Sequence, residues 1–169
     1  MEIADLEGLI AKLAPRVLSL VHEKQFGFIR DGNSAGLGGD FDKELLIALR
    51  QRSELIVTSG KTAEIEQYRQ PSKPLVLLST RPNSAPWLEA QRLTLEDPRF
   101  TQLLADKMVL FETGLTLSRV LYQMSLIDQV VVHHDQGEFD ADRIIDLDLK
   151  KEQSTPFHGR YISVFGRGS

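Results

Sequence analysis

The sequence predicts an α/β domain with a largely parallel β-sheet and an antiparallel pair of strands at its C-terminal end. Short, almost wholly apolar segments such as residues 54–58 suit strands that are covered on both faces. Helical stripes alternate with these segments, most clearly over residues 115–124, where apolar side chains recur with a helical period. Such alternation favours parallel strands joined by right-handed crossovers. Residues 143–149 and 160–165 instead alternate between polar and apolar types, which predicts the antiparallel pair.

The first third of the chain is predicted to contain two helices and two strands. An apolar stripe within residues 3–13 predicts a helix that Pro15 ends. The glycine-rich residues 31–40 predict a loop, and Asp40 suits the N-cap of a helix that reaches residue 51. The predicted strands here are residues 16–22, which residues 26–29 extend or bend, and residues 54–58.

The rest of the chain continues the alternation with shorter elements. The predicted helices are residues 61–67 and 115–124. The predicted strands are residues 75–78, 107–111 and 127–133, with a short strand at 92–95 that one or two short helices flank within residues 87–105. The predicted loops are residues 70–74, 80–86 and 150–156, the last of them mobile because of its polar composition.

Composition restricts the class of protein. The length of 169 residues suits one domain, spanning residues 1–169. The formal charge of −4 lacks the electrostatic footprint of nucleic-acid binding, and the absence of cysteine excludes disulfides and thiolate metal sites. Acidic residues near the N-terminus are wrong for a secretory signal, and no apolar run approaches membrane-spanning length. We therefore expect a soluble, cytoplasmic protein without nucleic-acid or membrane partners.

Three predicted strands end in unusually polar junctions. These are TSGKT at residues 58–62, STR at residues 79–81 and ETGLT at residues 112–116. In an open α/β sheet, ligands bind beyond the carboxyl ends of the strands. If these strands are parallel and adjacent, all three junctions lie on one edge of the sheet. This convergence is the most informative pattern in the sequence, and it predicts a ligand site at that edge.

The third junction has features of a phosphate-binding turn. A helix N-terminus offers unpaired N–H groups and a partial positive charge, and Gly114 would let the backbone approach an anion closely. Thr116 could bond a phosphate oxygen or simply cap the helix. The plainer interpretation is an ordinary strand–glycine–helix turn, and spacing alone favours it because a short glycine motif is weak evidence.

The other two junctions also suit a phosphorylated nucleotide. The Ser79 and Thr80 hydroxyls with the Arg81 guanidinium could hold a ribose 2′-phosphate, which would favour NADP over NAD. The plainer interpretation of Arg81 is a surface side chain in a proline-flanked loop. Thr62 could cap its helix or donate to a ribose or phosphate, whereas Lys61 is expected to be solvated.

Other candidate sites are weaker. The adjacent His133 and His134 look like metal ligands, but neighbouring residues of a strand point to opposite faces, so no metal site is predicted. The sequence has no nucleophile elbow and no Walker loop. The stretch GLGGDF at residues 36–41 does not stand in the strand–GxGxxG–helix context of a dinucleotide-binding fingerprint.

Four stretches, taken in order, form a recognisable series. They are DGNSAGLGGDFDKELLIALR, ELIVTSGKTAEIEQYRQP, PLVLLSTR and LFETGLTLSRVLYQMSLIDQVVV. In order and spacing the series resembles the pyrimidine deaminase-reductase C-terminal family of riboflavin biosynthesis. The resemblance covers about residues 16–132. It implies a three-layer dihydrofolate-reductase-like fold, with a mostly parallel sheet and antiparallel C-terminal edge strands.

The resemblance also implies an activity and a cofactor. The family uses NADPH to reduce the ribosyl group of a pyrimidine intermediate to a ribityl group. Hydride transfer needs no protein nucleophile, because the cofactor supplies the chemistry and the protein supplies orientation and electrostatics. The expected partners are therefore NADPH, a small-molecule substrate and, as the family implies, a second copy of the chain in a homodimer.

Site residues follow from the resemblance by position. Those along the cofactor would be Thr58, Gly60, Thr62 and Glu66, with Ser79 and Arg81 near the adenosine 2′-phosphate. The pyrophosphate turn and helix start, residues 114–120, would include Gly114, Leu115 and Thr116, preceded by Thr113. The residues facing the substrate would be Ser34, Arg69 and Glu112.

The sequence departs from the family pattern in three places. The family's first strand usually ends in Ser-Leu-Asp-Gly, but residues 23–27 are EKQFG. Thr113 replaces the first glycine of the phosphate turn, and its Cβ narrows the approach to a pyrophosphate. The segment HHDQGEFDADR, residues 133–143, is shorter than the family's substrate wall. Three hypotheses remain: a reductase, a non-catalytic relative that keeps the fold for ligand binding or dimerisation, and a small-ligand sensor.

Overall fold

The computed structural model describes residues 3–23, 27–28, 39–135, 139 and 146–168. The helices in these ranges are α1 (Ile3–Ala11), α2 (Gly39–Arg52), α3 (Gly60–Ile65), α4 (Pro98–Leu104) and α5 (Leu115–Gln123). The strands are β1 (Arg16–Glu23), β2 (Gly27–Phe28), β3 (Leu55–Ser59), β4 (Leu75–Leu78), β5 (Gln91–Leu93), β6 (Val109–Glu112), β7 (Gln129–His134), β8 (Leu149–Phe157) and β9 (Arg160–Arg167).

All of the described strands belong to one sheet. Eight of them follow one another in the order β5-β4-β3-β6-β1-β7-β9-β8, and β2 pairs with β1. From β5 to β7 every neighbour in this order is parallel, whereas β9 is antiparallel to β7 and β8 is antiparallel to β9. The predicted mostly parallel sheet with an antiparallel C-terminal edge is therefore confirmed.

The sheet separates two apolar layers, as β6 shows. Phe111 packs in a cluster with Phe100 of α4 and Leu121 of α5. Its neighbour Leu110 packs in a different cluster with Leu45 of α2 and with residues of α1. Because successive strand side chains face opposite sides, α4 and α5 cover one face of the sheet and α1 and α2 cover the other. The result is the predicted three-layer arrangement.

The described helices are short and serve to cover the sheet. The longest of them, α2, has 14 residues. None of the helices in the described ranges has the length and apolar content that crossing a lipid bilayer requires.

The prediction for residues 150–156 was wrong, because this polar stretch is the middle of β8 rather than a mobile loop. β8 is an edge strand whose central side chains are mostly exposed, so it lacks the apolar alternation by which half-buried strands are recognised. Edge strands tolerate charge, proline and bulges, and β8 has a register shift between Lys151 and Gln153. His158 and Gly159 form a two-residue hairpin turn to β9, with φ of 50° and 76°.

Smaller differences concern the ends of elements. α2 begins at Gly39, so Asp40 lies within the helix rather than at its N-cap. β2 folds back against β1 in an antiparallel pair instead of extending it. The region 87–105 contains one helix, α4, after β5. Residues 31–38 of the predicted glycine-rich loop and residues 143–145 of the predicted penultimate strand lie outside the described residues. The prediction of a strand at residues 146–148 was wrong, because β8 begins only at Leu149.

Candidate functional site

The three polar junctions lie on one edge of the sheet. β3 is parallel to both of its neighbours, with Ser59 opposite Leu78 of β4 and Thr58 opposite Glu112 of β6. The residues that follow these three strands therefore leave the same edge, as the sequence predicted. Neighbouring strands are about 4.8 Å apart, so the ends of β4 and β6 are separated by roughly 10 Å.

At the first junction, the hydroxyl groups serve the start of α3. Ser59 is the N-cap: its Oγ accepts from Thr62 N at 3.0 Å and donates to Thr62 Oγ1 at 2.9 Å. Thr62 is therefore not the cap, and its buried hydroxyl keeps its own proton available for donation. Thr58 is fully buried and donates to Glu112 O at 2.7 Å, which ties β3 to β6. Glu66 is the half-buried C-cap of α3.

At the second junction, Ser79 and Ser84 form a compact hydroxyl pair. Their Oγ atoms are 2.8 Å apart, and Ser79 Oγ accepts from Arg81 N at 3.0 Å. Ser84 is buried, and its hydroxyl donates to Arg81 O at 2.9 Å. The guanidinium of Arg81 is exposed and lies 3.4 Å from a carboxylate oxygen of Glu64. The turn is thus built around internal hydrogen bonds and leaves Arg81 on the surface.

Gly60 lies where these two junctions pack closely against each other. A Cβ added there would lie 2.6 Å from Ser84 Cβ and 2.9 Å from Ser79 Oγ. The glycine is therefore required by close approach of the protein's own turns.

Gly60→Ala is expected to lower the free energy of unfolding by about 2 kcal/mol, since the added methyl overpacks the contact with Ser84. Urea denaturation measures this change. Gly8→Ala is the matched control, because a Cβ on Gly8 of α1 has no neighbour within 4 Å and alanine favours a helix by about 0.5–1 kcal/mol. A Gly60→Ala protein as stable as the wild type would contradict the close contact.

The third junction begins α5. Gly114 is its N-cap, with φ of −66°, and Thr116 lies in the first turn of the helix with an exposed side chain. Of the two roles open to Thr116, the cap is therefore excluded. Thr113 is buried, and its Oγ1 is 2.7 Å from Ser118 Oγ. The extra side chain at Thr113 thus packs into the protein, and Leu115 is buried beside it.

Glu112, at the end of β6, belongs to a cluster that sequence reasoning missed. Arg50 of α2 donates from Nε and Nη2 to the two carboxylate oxygens of Glu112, each at 2.8 Å. Arg50 Nη2 also donates to the Tyr68 hydroxyl at 2.8 Å, and the guanidinium lies over the Tyr68 ring. Only the YRQP motif hinted at Tyr68, and nothing in the sequence pairs Arg50 with a residue 62 positions away.

The cluster shifts the pKa values of its members. Burial lowers the pKa of Arg50, but the hydrogen bonds and negative charge of Glu112 outweigh it, so the net pKa is raised. Burial raises the pKa of Tyr68 well above its ordinary value, and the charge of Glu112 raises it further, while Arg50 acts in the opposite direction. Arg50 is therefore charged and Tyr68 is a neutral phenol at physiological pH.

A cavity of about 280 Å³ opens where β4 and β5 end and α4 begins. Ser79 and Arg81 contribute to its wall, and so do Arg92 and Arg99, which sequence reasoning did not select. Arg92 donates to the carbonyl oxygens of Ser84, Ala85 and Leu88. Arg92 thereby holds the loop after β4, while the other two guanidiniums remain exposed.

The remaining candidates from the sequence are Arg69, Ser34 and the histidine pair. Arg69 is exposed in the segment after α3, and Ser34 lies outside the described residues. His133 contacts Phe157, whereas His134 stacks on Phe139 and Tyr161, so the two imidazoles have different surroundings, as strand geometry predicted. Among the described residues, no group of three or more side chains is arranged to hold a metal ion.

The sheet order, the three layers and the polar carboxyl edge define an α/β protein of the dihydrofolate-reductase-like fold. Solved structures with this fold include a pyrimidine reductase-like protein from Corynebacterium diphtheriae, with a TM-score of 0.68, 16% identity, and coverage of 95% of this chain and 98% of that one. Dihydrofolate reductase from Enterococcus faecalis, solved with NADP(H), has a TM-score of 0.64 at 11% identity, covering 90% and 96%. RibD from Acinetobacter baumannii has a TM-score of 0.61 at 16% identity, and this chain spans 57% of its length.

No protein-family model and no curated protein sequence matches the chain. The likeness is therefore one of structure, at sequence identities of 16% or less for these three proteins. It confirms the fold that the motif series implied, a riboflavin-biosynthesis pyrimidine reductase-like and dihydrofolate-reductase-like fold.

Proposed function

We propose that this protein is an NADPH-dependent reductase of a pyrimidine-type small molecule, related in its reaction to the ribosyl reduction of riboflavin biosynthesis. The observation that carries the proposal is the meeting of two anion-attracting features at one sheet edge. One is the N-terminus of α5 behind Gly114, and the other is the arginine-lined cavity beside Ser79. They follow strands separated by one strand, a span that a dinucleotide bridges.

The chemistry of the edge fits the two ends of NADPH. The 2′-phosphate would lie near Ser79 and Arg81, whose exposed guanidinium matches a phosphate dianion. The pyrophosphate would lie at residues 113–116, where the first N–H groups of α5 are available. Thr58, Gly60, Thr62 and Glu66 would border the dinucleotide between them. When bound, NADPH supplies the hydride, and the protein supplies orientation and a fixed electrostatic environment.

The substrate would meet Ser34, Arg69 and Glu112. Glu112 is held in one position by the two hydrogen bonds from Arg50. A carboxylate has about four lone-pair directions, so Glu112 can still accept a hydrogen bond from a substrate N–H or O–H group. Its proposed role is to orient the substrate, because the Arg50 guanidinium fixes both of its carboxylate oxygens.

A non-catalytic relative that binds a ligand or forms dimers is the alternative function. One observation favours it: the hydroxyls of Ser59, Ser79, Ser84 and Thr113 all make hydrogen bonds within the protein. Under this alternative the polar junctions are caps and turns. The main proposal includes a single domain over residues 1–169, which the one sheet of the described strands supports. It also includes a homodimer, as the family resemblance implies, and a cytoplasmic location.

Fluorescence titration with NADPH and NADH tests the proposal. We expect NADPH to bind with a Kd near 1 μM, which corresponds to a binding free energy of about −8 kcal/mol. We also expect it to bind more tightly than NADH. Arg81→Ala is expected to weaken the binding of NADPH about tenfold and to leave the binding of NADH unchanged, because only NADPH has the 2′-phosphate. Thr116→Val is expected to weaken both nucleotides alike, because the pyrophosphate is common to them.

Lys150→Ala is the matched control, since it removes one exposed positive charge from β8. β8 is the outermost strand on the side of the sheet opposite β5. Failure of the wild-type protein to bind either nucleotide would favour the non-catalytic alternative. Equal affinity for NADPH and NADH would remove the role of Arg81. Turnover of the riboflavin-pathway ribosylaminopyrimidine phosphate, followed by the loss of NADPH absorbance, then tests the substrate.

A further inference from the structure

Two arginines that neither the motifs nor the family resemblance assigns, Arg92 and Arg99, line the cavity beside Ser79. Arg99, the second residue of α4, lines it together with Arg81 and Arg92. Arg92 is committed to three backbone carbonyls, so it shapes the wall of the cavity. Arg81 and Arg99 are each 65% exposed and enter from different segments of the chain.

Arg99 is held by a single acid. Its Nη2 lies 2.8 Å from Asp97 Oδ2, and its Nε lies 3.2 and 3.3 Å from the two carboxylate oxygens. Asp97 is also the N-cap of α4, because its Oδ1 accepts from Arg99 N at 2.9 Å. The same carboxylate therefore serves two donors, and only the backbone one is needed to begin the helix. Hydrogen bonding with Arg99 lowers the pKa of Asp97, so the carboxylate is ionised at neutral pH.

Arg81 has a similar but looser arrangement. Its guanidinium is 3.4 Å from Glu64, which also accepts from Ala85 N at 3.0 Å. Each exposed guanidinium thus lies beside an acidic side chain that also accepts a hydrogen bond from a backbone N–H group. An exposed ion pair contributes little to stability, so a stronger dianion can displace the acid at small cost. Ser79 and Thr94 line the same cavity.

We propose that Arg99 is a second phosphate-binding side chain of this cavity and that Asp97 limits its affinity. The ligand chemistry is a phosphate monoester on a ribose, held between Arg81 and Arg99. This assignment rests on the proposed NADPH binding and adds to Arg81 a second residue that discriminates between NADPH and NADH. A guanidinium binds phosphate through two parallel N–H donors, so geometry as well as charge contributes.

Three variants test this assignment by titration with NADPH and NADH. Arg99→Gln is expected to weaken the binding of NADPH about tenfold and to leave the binding of NADH unchanged. Arg99→Lys is expected to retain part of the preference, because lysine keeps the charge without the planar fork. Asp97→Asn is expected to tighten NADPH about threefold, because asparagine caps a helix as well as aspartate does while releasing Arg99.

Inorganic phosphate alone distinguishes a nucleotide site from a free-anion site. Weak, millimolar binding of phosphate is expected, and phosphate that binds as tightly as NADPH would overturn the assignment. If the wild-type protein binds neither nucleotide, the proposed function and this assignment fail together. If it prefers NADPH and Arg99→Gln, folded by its thermal unfolding curve, keeps the full preference, only the assignment of Arg99 fails.

Discussion

Replacing Arg50 with alanine is expected to lower the free energy of unfolding by about 3 kcal/mol. The side chain of Glu112 is only 11% exposed, and Arg50 supplies both of its charge-assisted hydrogen bonds. Removing one member of a largely buried pair leaves the other charge uncompensated, which costs about 3–5 kcal/mol when burial is complete. The partial exposure of Arg50 places the expected loss at the lower end. Urea denaturation, with fixed m-value, measures it.

A double variant separates this cost from the loss of packing. Arg50→Met with Glu112→Leu removes both charges and keeps similar volumes, so its stability is expected to be within about 1 kcal/mol of the wild type. The double variant would then be more stable than Arg50→Ala. Equal stability of Arg50→Ala and the wild type would mean that Glu112 is solvated in solution. It would also remove the reason for treating Glu112 as a fixed carboxylate in the site.

Phe100→Ala is expected to lower the free energy of unfolding by about 4 kcal/mol, a larger loss than that expected for Arg50→Ala. Phe100 is fully buried in α4 and packs in the cluster that contains Phe111 and Leu121. Truncation removes its transfer free energy and leaves a cavity. For a chain of this length the midpoint of thermal unfolding is expected to fall by roughly 10 °C. Differential scanning calorimetry measures both quantities.

Ile47→Ala is the control for this truncation. Ile47 lies on α2 and is 55% exposed, so its loss is expected to change stability by less than about 0.5 kcal/mol. Phe100 directly follows Arg99, and α4 carries both residues. Loss of NADPH preference in Phe100→Ala, with NADH binding retained, would therefore support the contribution of α4 to the cavity. A stability close to that of the wild type would contradict the described packing of α4.

The parallel part of the fold was predictable because its signals are local. β4 is a run of apolar residues buried on both faces, β3 begins with such a run, and α5 has a stripe of apolar residues with a helical period. β8 was not predictable in this way. Its central side chains are mostly exposed, and pairing with β9 through the His158-Gly159 turn makes it a strand. Backbone hydrogen bonds to β9, which require no particular pattern of side chains, make β8 a strand.

The candidate site was also predictable from the sequence only in part. Polar residues after three apolar strands were enough to predict a ligand edge, because parallel strands must end on the same side. Which hydroxyls are free was not predictable: Thr58 bonds a carbonyl of β6, and Thr113 bonds Ser118 inside the protein. The Arg50–Glu112 pair and the Arg99 side of the cavity join segments far apart in the chain.

The amino-acid sequence by itself determined the α/β class, the mostly parallel sheet and the edge at which a ligand would bind. These properties follow from hydrophobic periodicity and from turn residues at strand ends, which act over a few neighbouring positions. Only the tertiary structure decided which polar groups at that edge are engaged and which charged groups face the cavity. Those outcomes depend on distances between side chains from separate segments, and chain folding alone sets those distances.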